Sequence, residues 1–351
     1  MSILYNLLFV PLVSLIIFPI SLLVFILKPL EPIYNVLTQE MEKLSLFFST
    51  ISFGKIVFKR LPIWIYILYF VILLFFLLTK KKKLLYVYFF LIGIHFLIPF
   101  FDLSTTVEVL DIGQGDCIFI HTNHRNILID TGGKKEKTIF YNSLSPFFKS
   151  KGIHSINYFI ITHGDYDHMG EAINLVNNFK VEKIIFNCGE YNDLEKELMN
   201  ALEKKKIKYY SCIKELNVEK NKLYFLQTKE YDNENDNSNV IYTELNGYKF
   251  MFMGDASSTT EKEIMNQYKL PNIDVLKVGH HGSKTSSGKD FIKEINPTYS
   301  IISVGKNNRY GHPNKEALNN LENSKIYRTD IDGSIMFKLK NNKMEIETYS
   351  P

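Results

Sequence analysis

Cysteine is scarce in this chain: Cys117, Cys188 and Cys212 are the only three among 351 residues. An odd number without Cys-x-x-Cys spacing excludes a zinc finger and predicts no disulfide framework. Cys117 sits in an apolar run and reads as a small core residue. Basic excess is missing as well over most of the length. Residues 1–100 hold nine Lys/Arg against three Asp/Glu, a net of +6, within a total of +4, so residues 101–351 carry −2. The basic character therefore belongs to the N-terminal part, and no global field draws a polyanion to the rest. Contact with a nucleic acid would have to run through a local patch or through metal ions. No internal repeat is present.

Charge is absent altogether from residues 3–27, a stretch longer than the about 20 residues a helix needs to cross a bilayer. Its length, and the lack of a basic residue before it, fit a signal peptide poorly. Pro11 and Pro19 predict kinks. Residues 62–79 and 84–101 are a second and third predicted span, separated by Lys80, Lys81, Lys82 and Lys83. Four lysines in a tight hairpin are expected to stay cytoplasmic. The segment after residue 102 then lies outside the cytoplasm. The loop 28–62 would share that side, and its Lys55, Lys59 and Arg60 pull the other way. Within it, residues 33–58 look amphipathic and suited to the membrane interface.

From Val107 the pattern changes to short apolar runs broken by Gly, Asp and Asn. Strands are predicted at 107–112, 117–121, 126–130, 158–162, 183–186, 240–245, 248–253, 273–278 and 299–304. Helices are predicted at 138–149, 170–179, 194–205, 259–267, 289–295 and 315–322. Neighbouring strands are often joined by tight turns, which favours a layered α/β sandwich with mixed sheets over a doubly wound parallel sheet. The Asn-rich run 232–239 reads as a loop.

Three clusters carry the chemistry, each at a predicted strand end. The first is His163-Gly164-Asp165-Tyr166-Asp167-His168, four imidazole or carboxylate ligands within six residues. The second is Gly254-Asp255, where one carboxylate is placed to bridge. The third is His280-His281-Gly282-Ser283. Together they predict one site at one sheet edge. They offer more ligands than a single metal's three or four, so two divalent ions are expected. Such a pair activates water and clamps a displaced ester.

The run His-x-Asp-x-Asp-His resembles the metallo-β-lactamase superfamily signature His-x-His-x-Asp-His, which implies an αββα sandwich hydrolase. Four further motifs narrow the likeness: Leu110-Asp111-Ile112-Gly113-Gln114-Gly115-Asp116, Asp130-Thr131-Gly132-Gly133, Leu276–Ser283 and Tyr310-Gly311-His312-Pro313. With them, residues 106 to about 340 resemble the C-terminal domain of the ComEC family of DNA-uptake channels. The opening Asn6-Leu-Leu-Phe-Val-Pro-Leu-Val-Ser is similar to that family's last membrane segments. The likeness implies a membrane region over 1–101, of about three spans, and a hydrolase domain over 102–351. It further implies a nuclease or phosphodiesterase that degrades the DNA strand not imported, acting on single-stranded DNA outside the cytoplasm. Relative to the family the chain is short at its N-terminus, so a separate channel chain is an expected partner, beside membrane lipid.

Carried over, the family's roles give His163 and Asp165 to one metal, Asp167, His168 and one of His280 or His281 to the other, and Asp255 to both. Asp167, His281 and His312 are expected at the reaction, and Ser238, Asn239, Ser283 and His312 at the substrate. Asp116 and Asp130 are expected to orient ligating rings. Asp165 stands where the superfamily has His, and no His lies between His168 and His280. The first metal position is therefore oxygen-rich, which favours Mn over Zn. Two other functions fit the sequence: an extracytoplasmic esterase for a different phosphodiester such as phosphocholine, and a competence component without turnover. His95, His121, His124 and His154 are given structural roles.

Overall fold

The computed structural model describes residues 2–50, 57–134, 138–226, 229–341 and 343–349. The chain divides into two compact units, Met1–Phe58 and Lys59–Pro351.

In the first unit, α1 (Ser2–Pro11) runs through a π-helical stretch at Leu12–Ile17 into α2 (Phe18–Ile26). The widened register lies between Pro11 and Pro19, the two residues that cannot donate to the helix ladder. Tyr5–Ile26 is 22 residues with mean hydropathy 2.8, enough to cross a membrane. An amphipathic α3 (Glu31–Thr50) follows. The rest of the expected interfacial stretch, through residue 56, lies outside the described residues.

The second unit opens with a helical hairpin, α4 (Ile63–Thr79) and α5 (Lys82–Leu97). Lys80 stops α4 with a left-handed φ of 53°. Lys82–Phe101 reaches 20 residues with mean hydropathy 2.2, whereas Ile63–Thr79 is shorter. Among the described residues, two helices are thus long and apolar enough to span, and the middle predicted span falls short of them. His95 on α5 is buried and bonded to the Lys59 carbonyl (2.7 Å) and to Tyr69 Oη (3.2 Å). Lys59 also pairs with Asp102 (2.5 Å), which ties the base of the hairpin to the start of the sandwich within the same unit.

Two sheets make up the sandwich. The first holds β1 (Thr105–Val109), β2 (Ile118–Thr122), β3 (Arg125–Ile129), β4 (Ser155–Ile160), β5 (Lys180–Phe186) and β6 (Lys208–Ser211). The C-terminal hairpin β14 (Ser334–Lys340) and β15 (Lys343–Tyr349) adds to it beside β1, in the order β15-β14-β1-β2-β3-β4-β5-β6. The second holds β7 (Glu215–Val218), β8 (Asn221–Phe225), β9 (Ile241–Leu245), β10 (Tyr248–Phe252), β11 (Val275–Lys277), β12 (Tyr299–Ile302) and β13 (Lys325–Arg328). They run in reverse spatial order, β13 to β7. Both sheets are mixed: β3 to β6 and β10 to β13 are parallel, the rest antiparallel.

Period-two alternation divides each strand between two cores. Ile118, Ile120, Ile127 and Ile129 face Phe250, Phe252 and Val275 between the sheets. Phe119 and Leu128 turn the other way, onto the helices α6 (Ser145–Lys151), α8 (Ala172–Asn178) and α9 (Asp193–Lys205). Met251 and Leu276 likewise meet α10 (Ser258–Gln267) and α11 (Lys289–Ile295). The result is the expected αββα sandwich with mixed sheets.

Several boundaries differ from expectation. The first strand stops at Val109 because the Leu110 amide bonds the Cys117 carbonyl and the chain turns through Gly113 and Gly115. The strands β6 to β8 and β13 to β15 were not foreseen. The helix expected at 138–149 is a π-helical turn, Phe140–Leu144, leading into α6.

The expectation of no disulfide is overturned. Cys188 and Cys212 are bonded, with Cα atoms 4.8 Å apart. Each follows the C-terminal end of one of two paired parallel strands, β5 and β6, which brings residues 24 apart in sequence side by side. Cys117 is free and buried, as expected.

Candidate metal centre

The C-terminal ends of β3, β4, β10, β11 and β12 meet at one edge of the sandwich, and each delivers one polar group or more. After β4 come His163 and the short turn α7 (Tyr166–Met169), with Asp165 at its N-cap. After β3 comes Asp130, after β10 Asp255, after β11 His280 and His281, and after β12 Ser303. This is the carboxyl-end crevice where open α/β sheets place their sites.

Glycines let these turns stack. A Cβ on Gly133 would lie 2.1 Å from the Tyr166 carbonyl oxygen, so the Asp130-Thr-Gly-Gly run can lie against the ligand turn. Gly164 is held on both sides. Its amide donates to Glu234 Oε1 (2.7 Å), and its carbonyl accepts from Asn192 Nδ2 (2.9 Å). Asn192 and Glu195 form the capping box of α9. That clamp sets the backbone between His163 and Asp165. Neither residue was foreseen; Asn192-Asp-Leu-Glu195 is an N-cap signal that could have been found, but nothing in it points to Gly164.

Three imidazoles share one arrangement. His163 Nδ1 is 3.1 Å from Thr162 Oγ1, His168 Nδ1 is 2.8 Å from Asp130 Oδ2, and His281 Nδ1 is 2.9 Å from the Ser303 carbonyl. Each ring's other nitrogen, Nε2, is buried with no hydrogen-bond partner, and so is Asp255 Oδ1. These atoms converge. His168 Nε2 lies 3.1 Å from Asp255 Oδ1, and His281 Nε2 lies 3.3 Å from Asp167 Oδ2. Among the described residues three compact ligand groups result, His163–His168–Asp255, Asp167–His168–His281 and Asp116–Asp130–His168, each with ligand atoms within 4.8 Å of one another and all sharing His168. Orphaned buried polar atoms are costly. Convergent imidazole and carboxylate orphans, with Nδ1 of each ring engaged, fit divalent metal ions. Buried atoms without a hydrogen-bond partner also occur on Asp116, which belongs to the third group, and on Asn187, Glu195 and Ser303, which belong to none.

The electrostatics agree with that fit. Burial opposes charge on His168, yet Asp255 and Asp130 hold its pKa well above the ordinary imidazole value. Burial likewise works against the Asp255 carboxylate, but His168 and His281 keep it well below the usual range. Asp167 is lowered to about 2, with His281 and His168 outweighing burial. Glu195 is raised to about 7, by burial first and then by Glu234 and Asp165.

The other predicted residues fall into distinct places. Asp165 is half-exposed, with Oδ2 3.5 Å from His163 Nε2. His280 is partly buried and lies 3.7 Å from Asp255, outside the compact ligand group that includes His281. Both histidines of this turn take left-handed φ values, 48° and 52°, a strained pair for non-glycine residues. His312 lies at the rim, its ring 5.8 Å from that of His280. Asp116 forms a buried ion pair with Lys277 (2.6 Å), a partner the sequence did not suggest, and its other oxygen lies 3.5 Å from His281 Nδ1.

The three residues expected at the substrate beside His312 are all buried. Ser238 is buried, and its hydroxyl accepts from the Asp255 amide (3.1 Å). Asn239 is buried, and its side chain donates to the Ile161 carbonyl (2.9 Å). Ser283 is buried within the His280 turn and bonds Thr285 (3.0 Å). These hydrogen bonds brace the loops that carry the candidate ligands.

Two of these contacts lead to measurable outcomes. Asp130 bonds Thr162 through both its amide and its hydroxyl, as well as His168, and it sits at φ 57°, which Asn tolerates. Asp130→Asn should therefore fold but weaken metal binding by about 10–100-fold, as lost support behind a ligand does. Calorimetric titration with Mn²⁺ checks it, and wild-type affinity in the variant would refute the role. Glu261 on α10 anchors the chain after the histidine turn, accepting from the Ser287 (2.6 Å) and Gly288 (2.8 Å) amides. Burial, with a contribution from Asp236, raises its pKa from 4.5 to about 7 despite those donors. The folded state then binds a proton more tightly than the unfolded state does. Stability should fall as pH rises through that window, by about 3 kcal/mol in full. Glu261→Gln adds a constant offset for the lost acceptor but removes this slope. Thermal unfolding of both proteins from pH 4.5 to 7.5 should show diverging curves; parallel curves would argue against it.

A family model described as Metallo-beta-lactamase superfamily matches residues 110–306, and one described as Competence protein matches residues 1–83. The chain belongs to the metallo-β-lactamase superfamily, whose fold binds divalent metals. With the competence match ahead of it, the arrangement is that of a ComEC-type competence protein. The chain is 33% identical over 281 residues to ComE operon protein 3 of Bacillus subtilis, covering 73% of this chain and 36% of that one. To Competence protein ComA of Neisseria gonorrhoeae it is 27% identical over 242 residues, covering 67% and 32%. The chain thus spans about a third of the length of the curated relatives it matches. Among solved structures, the metallo-beta-lactamase fold protein YhfI from Bacillus subtilis aligns with a TM-score of 0.47 at 12% identity, over 67% of this chain and 99% of that one.

Proposed function

We propose that this chain is a membrane-anchored, metal-dependent phosphodiesterase that cleaves single-stranded DNA during competence-related uptake, with residues 1–101 as the anchor and 102–351 as the hydrolase. The observation that carries the reading is the set of three buried imidazoles, each bonded through Nδ1 and open at Nε2, gathered with Asp255 and Asp167. His163, Asp165 and Asp255 would hold one divalent ion; Asp167, His168, His281 and Asp255 would hold the second. His281 is preferred to His280 because its free nitrogen is buried and faces Asp167. Ions held there supply Lewis acidity toward a phosphoryl oxygen and an acidified water. The oxygen-rich first position favours Mn over Zn.

The chain's own groups do the rest. Asp130, Thr162 and Ser303 fix the ring tautomers, Lys277 holds Asp116 beside His281, and the half-buried His280 and His312 line the approach. His312 is kept below its ordinary pKa by burial and by His281 and His280, so it meets a phosphodiester as a neutral ring. The Cys188–Cys212 bond supports an oxidising compartment and the lysine turn supports a cytoplasmic hairpin tip, and both favour a hydrolase outside the cytoplasm. The test is Mn²⁺-dependent cleavage of a labelled single-stranded oligonucleotide by the full chain in detergent, with EDTA and Asp167→Ala as negatives. Cleavage of phosphocholine esters but not DNA would favour the other phosphodiesterase reading.

A further inference from the structure

The loop 305–312 reaches from the end of β12 to the rim of the metal centre, and its exposed tip is aromatic. Tyr310 is 53% exposed. Its ring stacks on His312 at 5.8 Å and 14°, and His312 in turn meets His280 edge-on at 5.8 Å. Two ring-to-ring steps therefore lead from a solvent-facing aromatic to a histidine beside Asp255. Arg309 places its guanidinium 5.0 Å from the Tyr310 centroid and donates from Nη2 to the Tyr310 hydroxyl (2.9 Å).

The tip is held rigidly. Asn308 Oδ1 accepts from the amides of Tyr310 (3.2 Å) and His312 (3.0 Å), and its Nδ2 donates to the carbonyls of Gly305 (3.1 Å) and His312 (2.7 Å). One side chain thus fixes both ends of the turn that presents the ring, and the ordering cost is met when the chain folds, not when a ligand arrives. None of these bonds is needed to hold the metal ligands.

We propose that this loop is a prebuilt stacking platform for an unpaired nucleobase beside the scissile phosphate, with Tyr310 taking the base and Arg309 supplying the adjoining cation. The proposal rests on the nuclease reading and names how that site selects its polymer. An aromatic face with an arginine beside it is the usual means of holding single strands without reading sequence. A duplex offers no free base face to it. The platform also accounts for how a domain of net negative charge retains a polyanion: the hold is on the bases, with little demand on global charge.

The test is equilibrium binding of the full chain in detergent to a fluorescent oligo-dT and to an abasic strand of equal length. Wild type should prefer oligo-dT. Tyr310→Ala should lose roughly ten- to a hundredfold on oligo-dT and nothing on the abasic strand. Tyr310→Trp should retain binding. Asn308→Ala should lose affinity although the tyrosine remains, and Tyr141→Ala, an equally exposed aromatic (54%) elsewhere, should lose none. Metal content and thermal unfolding show that each variant is folded. If Tyr310→Ala binds oligo-dT as wild type does, or loses equally on both strands, the platform is wrong while the nuclease reading stands. If metal-loaded wild type neither binds nor cleaves any oligonucleotide, the nuclease reading fails and the platform with it.

Discussion

Replacing Asp255 with Ala is expected to abolish both metal loading and hydrolysis. Its carboxylate lies at the centre of the candidate site, 3.1 Å from His168, 3.7 Å from His280 and 3.8 Å from His281. It is also the buried anion that compensates those rings. A bound divalent ion contributes several kcal/mol to such a reaction. At about 1.4 kcal/mol per factor of ten, the rate should fall by roughly 10³ or more. Metal content by mass spectrometry and the Mn²⁺-dependent cleavage rate check it together. A variant that keeps two ions per chain and cleaves within a few-fold of wild type would remove Asp255 from the site.

Lys277→Met is expected to give the largest loss of stability. The lysine is 1% exposed on β11, with its ammonium 2.6 Å from Asp116 and 2.9 Å from the Val278 carbonyl. Removing it leaves a buried carboxylate unpaired next to His281. Breaking such a pair costs about 3–5 kcal/mol, because the remaining charge is uncompensated. For a domain of this size that lowers the melting temperature by on the order of 10 °C. Asp116→Asn with Lys277→Met should recover much of the loss, since neutral packing replaces the ion pair with little penalty. Thermal unfolding of the two variants beside wild type measures it. A single variant within about 1 °C of wild type would show that the pair contributes little.

The sequence exposed the site more fully than the fold. Nine strands were readable because each is an apolar run that both faces of the sandwich bury. Three of the other six lack that signal for identifiable reasons. Lys208–Ser211 is exposed throughout at a sheet edge, and Glu215–Val218 is exposed at alternate positions, so pairing with a neighbour decides their state. Lys343–Tyr349 is half polar and is ordered by its hairpin partner. The ligand clusters were legible because their residue types are dense and distinctive. Which histidine turns inward was not, since it depends on two successive left-handed residues. Lys277 looked like any lysine in a short strand; only the arrival of Asp116 from the other sheet gives it meaning. Cys188 and Cys212 carry no spacing signal, because parallel strands align residues that sequence separates.

The two sheets share the candidate metal centre, and this has a consequence for when its ligands come together. His163, Asp167 and His168 stand on the first sheet, and Asp255 and His281 on the second. The last strands of the chain, β14 and β15, return to complete the first sheet beside β1. Neither half of the polypeptide carries a full ligand set, so a chain still emerging or half folded holds only an inert fragment of the centre. A divalent ion would therefore meet its full candidate ligand set only once both sheets have formed and packed together.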